Sequence, residues 1–99
     1  MNRNYRAGYL AEQDIRKKFK PPRYTTMRSA GSHGPFDVIV FDHKEPEIHL
    51  IQAKKMKKWS ELVVKKTIEM LEKVVVPISC VKELWVKIPR QKWITRHVE

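Results

Sequence analysis

Acidic residues are in short supply in this chain. Asp and Glu number 11 against 21 Lys and Arg, which leaves a formal charge of +10 over 99 residues. That imbalance favours a polyanionic partner, nucleic acid before an anionic membrane surface. Cysteine is scarcer still. Cys80 stands alone, so an intrachain disulfide is excluded and a buried, apolar-like thiol is expected. Zinc is excluded with it, because His33, His43, His49 and His97 lack ligand spacing. Long apolar runs are missing too: none approaches the roughly 18 residues of a membrane span. The charged start, Met1-Asn2-Arg3-Asn4-Tyr5-Arg6, is not followed by the apolar core of a secretory signal. The expectation is a cytoplasmic protein that does not enter a membrane. Repeats, low-complexity tracts and interdomain linkers are also missing, so residues 1–99 are expected to form one domain.

What is there reads as a small globular fold. Hydrophobic residues make up 41% of the chain, and a chain this short buries roughly 60–70% of its unfolded surface. Residues 4–20 read as a helix, with Ala11, Ile15 and Phe19 one above another and Gly8 a turn earlier. Pro21-Pro22 closes that segment. Tyr24–Arg28 is rich in strand formers, and residues 29–35 form a loop. Phe36–Asp42 is a mostly apolar strand, His43-Lys44-Glu45-Pro46 a turn, and Glu47–Lys54 the returning strand. Residues 60–75 read as a second helix capped by Ser60, with Val63, Thr67, Met70, Leu71 and Val74 inward and Pro77 beyond its end. Strands follow at Val81–Ile88 and Trp93–Val98. The order α-β-β-β-α-β-β predicts an α/β fold, a single mixed β-sheet flanked by helices.

Three polar residues interrupt the apolar hairpin at its open end. With the turn centred on residues 43–46, antiparallel partners pair Asp42 with Glu47, Ile39 with Leu50 and Asp37 with Gln52. Opposed residues share a face with Cβ atoms about 5 Å apart. Lys54, two residues past Gln52, points the same way, whereas Ile51 and Ala53 point to the other face. Such a group suits phosphodiester hydrolysis. A hard divalent cation takes oxygen ligands and needs only one or two carboxylates. Asp37 offers a carboxylate, Gln52 an amide oxygen and Ala53 its carbonyl. The cation polarises phosphate and acidifies a bound water. Lys54 is suited to orienting that water or to offsetting charge on the phosphate.

The run Gly34-Pro35-Phe36-Asp37 followed by Ile51-Gln52-Ala53-Lys54 resembles the motif of the PD-(D/E)XK nuclease superfamily. Residues 28–32 (Arg-Ser-Ala-Gly-Ser) and 8–12 (Gly-Tyr-Leu-Ala-Glu) resemble the archaeal Holliday junction resolvases within it. The resemblance implies a restriction-endonuclease-like core and an endonuclease that is a Mg2+-dependent homodimer acting on four-way or other branched DNA; Mn2+ is expected to substitute. It also implies that Glu12 joins Asp37, Gln52 and Lys54 in the active site and reaches the metal held by Asp37, Gln52 and Ala53. Ser29 or Ser32 would lie beside the scissile phosphate. Gln52 departs from the pattern, because the family usually carries an acidic residue there. That keeps two alternatives open: a DNA-binding protein of the same fold that has lost cleavage, and a nuclease of the superfamily that cuts duplex DNA.

Two further regions concentrate basic residues. Arg16, Lys17, Lys18, Lys20, Arg23 and Arg28 form one, and Lys55, Lys57 and Lys58 continue from the proposed site as the other. Backbone phosphate contact, which positions without reading sequence, suits both; a solvated face is the alternative for the lysine run. His33 is a DNA-contact candidate or an ordinary loop histidine. Trp59, Trp85 and Trp93 are candidates for base stacking, although core or subunit-interface packing suits them better.

Overall fold

The computed structural model describes residues 3–28 and 35–99, and of residues 3–7 the backbone only. The expected order holds: α1 (Arg3–Lys17), β1 (Tyr24–Arg28), β2 (Val38–Asp42), β3 (Glu47–Lys55), α2 (Glu61–Glu72), β4 (Cys80–Lys87) and β5 (Ile94–Val98). The five strands form one sheet in the order β1-β2-β3-β4-β5, antiparallel except where β4 runs parallel to β3. That single parallel step requires a crossover, and α2 supplies it.

Turn chemistry fixes the register of the β2–β3 hairpin. Asp42 Oδ1 accepts the amides of Lys44 and Glu45 at 2.9 and 3.3 Å, the local turn that aspartate favours. The Arg23 guanidinium grips both carboxylate oxygens at 3.1 and 3.0 Å. That hydrogen bond holds the Asp42 carboxyl well below the usual carboxylate range. Asp42 therefore faces Glu47, Ile39 faces Leu50 and Val38 faces Ile51, as the turn position predicts. Arg23, read from sequence as a phosphate contact, makes this clasp while its side chain stays exposed.

Each face of the sheet carries one helix and one core. Ala11 and Ile15 bury themselves as their spacing predicts, and Ile15 meets Val38, Val40, Ile51 and Trp85 on the α1 face, with Phe19, Tyr24, Ala53 and Trp93 around them. On the α2 face Val64 and Leu71 meet Leu84, Val86, Ile88 and Val98. Trp85 and Leu84 are adjacent in β4 yet both are buried, as befits a strand covered on both sides.

Several expectations are corrected. The α1 helix ends at Lys17, three residues before the expected end at Lys20. The inward stripe of α2 is Val64, Thr67 and Leu71, whereas Val63 and Met70 lie exposed. This helix stops at Glu72 rather than Val75, because the β-branched run Val74-Val75-Val76 resists helix and Lys82 receives the end. The Lys82 ammonium is buried and donates to the carbonyls of Leu71, Glu72 and Val74 at 2.8, 3.2 and 2.9 Å. Cys80 is half-buried rather than buried. The three tryptophans pack within the subunit: Trp85 in the α1-side core, Trp93 against it, Trp59 against the α2-side core. Trp59 and Trp93 remain half-buried.

Candidate functional site

Asp37 sits where the β2–β3 ladder gives out. The last regular pair is Val38 with Ile51. One residue earlier, the Asp37 amide donates to the Ile51 carbonyl at 2.8 Å instead of opposing Gln52 squarely. Its carboxylate then accepts the Ala53 amide at 3.0 Å. Asp37 thus straddles Gln52, bonded by its backbone to the residue before and by its side chain to the residue after. A side chain completes the ladder where backbone pairing fails, which holds the Gln52–Lys54 segment in place and the carboxylate half-buried beside it.

Glu12 comes from α1. Ala11 and Ile15 face the sheet, so Glu12 projects from the flank nearest β1, where it forms an ion pair with Arg28. Arg28 also lies over the Tyr9 ring, 5.0 Å from its centroid. The charge of Arg28 also acts on Asp37, so this guanidinium stands beside both carboxylates. Electrostatics tie the group together. Burial raises the Asp37 pKa, the Ala53 hydrogen bond lowers it, the Glu12 charge raises it, and Arg28 and Lys54 lower it. Two carboxylates and two cations are therefore close enough to act on one another at the open end of β2 and β3.

Gln52 is half-buried and its side-chain amide donates to the Ala53 carbonyl at 3.3 Å. Both peptide groups of Ala53 are thus held, one by Asp37 and one by Gln52. Lys54 is half-buried and Lys55, Lys57 and Lys58 are exposed, while Met56 between them packs against the α2-side core. Of the other basic candidates, Arg16 donates to Thr26 Oγ1 at 3.0 Å, tying α1 to β1, and Lys17 is exposed. Ser29, Ser32 and His33 lie outside the described residues.

The donors available to a metal are oxygens: the carboxylates of Asp37 and Glu12, the Gln52 amide oxygen and the Ala53 carbonyl. Among the described residues no group of three His, Cys, Asp or Glu side chains is placed to hold a metal ion. Two carboxylates with neutral oxygens remain a chemically suitable set for Mg2+, which retains water in place of missing protein ligands. Asp37 and Glu12 repel each other, a repulsion that a cation between them would relieve.

Sequence reasoning missed a second polar network. His49 pairs with Glu83, which also accepts the Trp85 indole N–H at 2.9 Å. The Trp93 indole donates to Asp14 at 2.6 Å. Neither pair has a spacing signal, because each joins residues that are distant in the chain. No described helix is long and apolar enough to cross a membrane.

The chain matches no family model, and no curated protein matches it in sequence. Solved structures do resemble it. One is Hjc of Archaeoglobus fulgidus, a Holliday junction resolvase from an archaeal hyperthermophile, at 18% identity and a TM-score of 0.61, covering 90% of this chain and 70% of that one. This protein has the fold of an archaeal Holliday junction resolvase.

Proposed function

We propose that the protein is a metal-dependent endonuclease that resolves four-way or other branched DNA. The observation that carries this reading is the meeting of Asp37, Glu12 and Lys54 at one end of a sheet with the resolvase fold. Asp37, Glu12, Gln52 and the Ala53 carbonyl would hold Mg2+, with Mn2+ as a substitute. The cation supplies charge against the scissile phosphate and acidity to a bound water. Lys54 orients the attacking water and offsets charge that develops on the phosphate. Arg28 balances Glu12 and keeps the pocket from becoming too anionic for DNA to approach. Lys55, Lys57 and Lys58 hold backbone phosphate next to the cut, a contact that strengthens at low salt. Resolving a junction takes two opposed cuts, and a chain with one site meets that need as a two-fold dimer.

The test is a labelled four-way junction and a matched duplex incubated with Mg2+, Mn2+ or EDTA. Junction cleavage with either metal and none in EDTA is expected. Asp37→Asn and Lys54→Ala should each lower the rate at least about a hundredfold, the scale of a lost electrostatic contact to the transition state, with junction affinity retained. Near wild-type cutting by either variant would remove the site.

A second reading has its own observation. Gln52 takes the place of a carboxylate and its amide is turned to the Ala53 carbonyl. A neutral ligand attracts a cation less than an anion does, and a protein of this fold that binds branched DNA without cutting it fits that arrangement. Gln52→Glu separates the two. On the nuclease reading it lowers the Mg2+ concentration for half-maximal cleavage. An inactive wild type with an active Gln52→Glu variant would establish the binding-only reading.

A further inference from the structure

The flank of α1 opposite Glu12 carries a second constellation. Ala11 and Ile15 face the sheet, so Glu12 and Asp14 project to opposite sides of the helix. Asp14 fixes the Trp93 indole through its N–H at 2.6 Å. Between α1 and the β4–β5 hairpin lies a pocket of about 580 Å³, whose lining includes Asp14, Lys18, Trp85, Lys87, Lys92 and Trp93. The aromatic floor is built, not accidental. Trp85 is buried in the core, and Trp93 leans on it with ring centroids 5.9 Å apart and planes at 59°. Trp93 itself is only half-buried.

The charge around this floor is one-sided. Lys18, Lys87 and Lys92 stand against Asp14, and the Asp14 carboxylate already serves the indole. Lys87 donates to the Gln91 carbonyl. Lys18 and Lys92 are exposed, and their ammonium groups make no hydrogen bond or ion pair among the described residues. An indole surface beside ammonium groups recognises a flat ring carrying phosphate. A base inside a duplex cannot offer its face, whereas an unpaired one can. The pocket also lies within reach of the same strand as the site. Lys87 pairs across the sheet with Lys55, next to Lys54. From the end of β2 to β5 is three strand spacings, about 14 Å, or about four stacked nucleotides at 3.4 Å each.

We propose that the pocket between α1 and the β4–β5 hairpin binds an unpaired nucleotide of a DNA strand, its base against the Trp93 indole and its phosphate on Lys18 and Lys92. The proposal rests on the nuclease reading above and assigns that enzyme a contact specific for unpaired DNA near a branch. The pocket is absent from the cleavage machinery, so its loss changes what is bound rather than whether phosphate is cut.

The experiment is fluorescence anisotropy in EDTA at fixed salt with three labelled probes: a blunt duplex, the same duplex with a three-nucleotide bulge, and a single strand of twelve nucleotides. Trp93→Leu keeps apolar packing and removes the stacking face. Lys18→Gln with Lys92→Gln removes the ammonium pair from exposed positions that do not threaten the fold. Both variants should bind the bulged and single-stranded probes at least about fivefold more weakly, the lower end of one lost base–aromatic stack, and the blunt duplex within about twofold of wild type. Equal losses on all three probes would reduce the pocket to general charge, and unchanged binding would also overturn the proposal. In either case, Mg2+-dependent cleavage by the wild type would leave the nuclease reading standing. A wild type that binds none of the probes would overturn both.

Discussion

The two faces of the sheet are built from different materials. On the α1 face the core is ringed by aromatics and by polar pairs: Phe19, Tyr24, Trp85 and Trp93, with His49–Glu83, Asp14–Trp93 and Glu12–Arg28 around them. On the α2 face the fully buried core is aliphatic, with Phe36, Met56 and Trp59 packed at its edge, and the buried Lys82 caps the end of α2. Gln52 and Lys54 pair across the sheet with Leu84 and Val86, so they project on the α2 side, whereas Glu12 comes from α1; the candidate site spans the open end of the sheet rather than one face. The two cores are therefore expected to respond differently to substitution, one through its aliphatic packing and the other through its polar pairs.

The hardest blow to stability belongs on the α2 face. Leu71→Ala should cost about 2–5 kcal/mol, the usual range for a fully buried leucine, while cleavage measured well below the melting temperature stays unchanged. Val63→Ala, on the sequence-predicted but exposed stripe of the same helix, should cost under about 0.5 kcal/mol. Denaturant melts that ranked the two alike would show that the α2 stripe is not the one described.

Lys82→Met sharpens the comparison by leaving the same volume apolar. Three carbonyls then lose a donor, and about 1–3 kcal/mol of stability should go with them. A neutral or stabilising result would mean that burying the ammonium costs as much as its hydrogen bonds return.

Asp37→Asn probes the open end of the sheet, and its effect on stability should be small and opposite in sign. Burial lifts the Asp37 pKa above its unfolded value, so the ionised form is disfavoured in the folded state. The stability associated with its proton is fully present below the unfolded pKa and fades as pH rises through the folded one. At neutral pH the Asn variant, which has no charge to bury, should melt at or slightly above wild type. The gap should close as pH falls toward the carboxylate range. A clear loss of stability at pH 7 would mean that the Asp37 carboxylate contributes to folding.

Much of the hairpin end is legible in the residues alone. Turn residues at 43–46 set the register, the period of two separates Ile51 and Ala53 from Gln52 and Lys54, and the approach of Asp37 and Lys54 follows. The inward stripe of α2 is not legible in the same way. Leu62, Val63, Val64, Thr67, Ile68, Met70 and Leu71 are apolar or small around more than half of its circumference, so periodicity alone admits two neighbouring stripes.

Sequence by itself determined what is local: element order, the hairpin register, the Ser60 cap, whose hydroxyl accepts the Val63 amide at 3.4 Å, and the excess of positive charge. Tertiary structure alone decided which basic residues remain available to a partner. Arg23 goes to Asp42, Arg28 to Glu12, Arg16 to Thr26 and Lys82 to the end of α2. Lys17, Lys18, Lys55, Lys57, Lys58 and Lys92 remain exposed. The physical reason is distance along the chain. Turns, caps and strand alternation act between near neighbours and leave a pattern in the sequence, whereas an ion pair between residues 16 or 19 positions apart forms only once packing has brought them together.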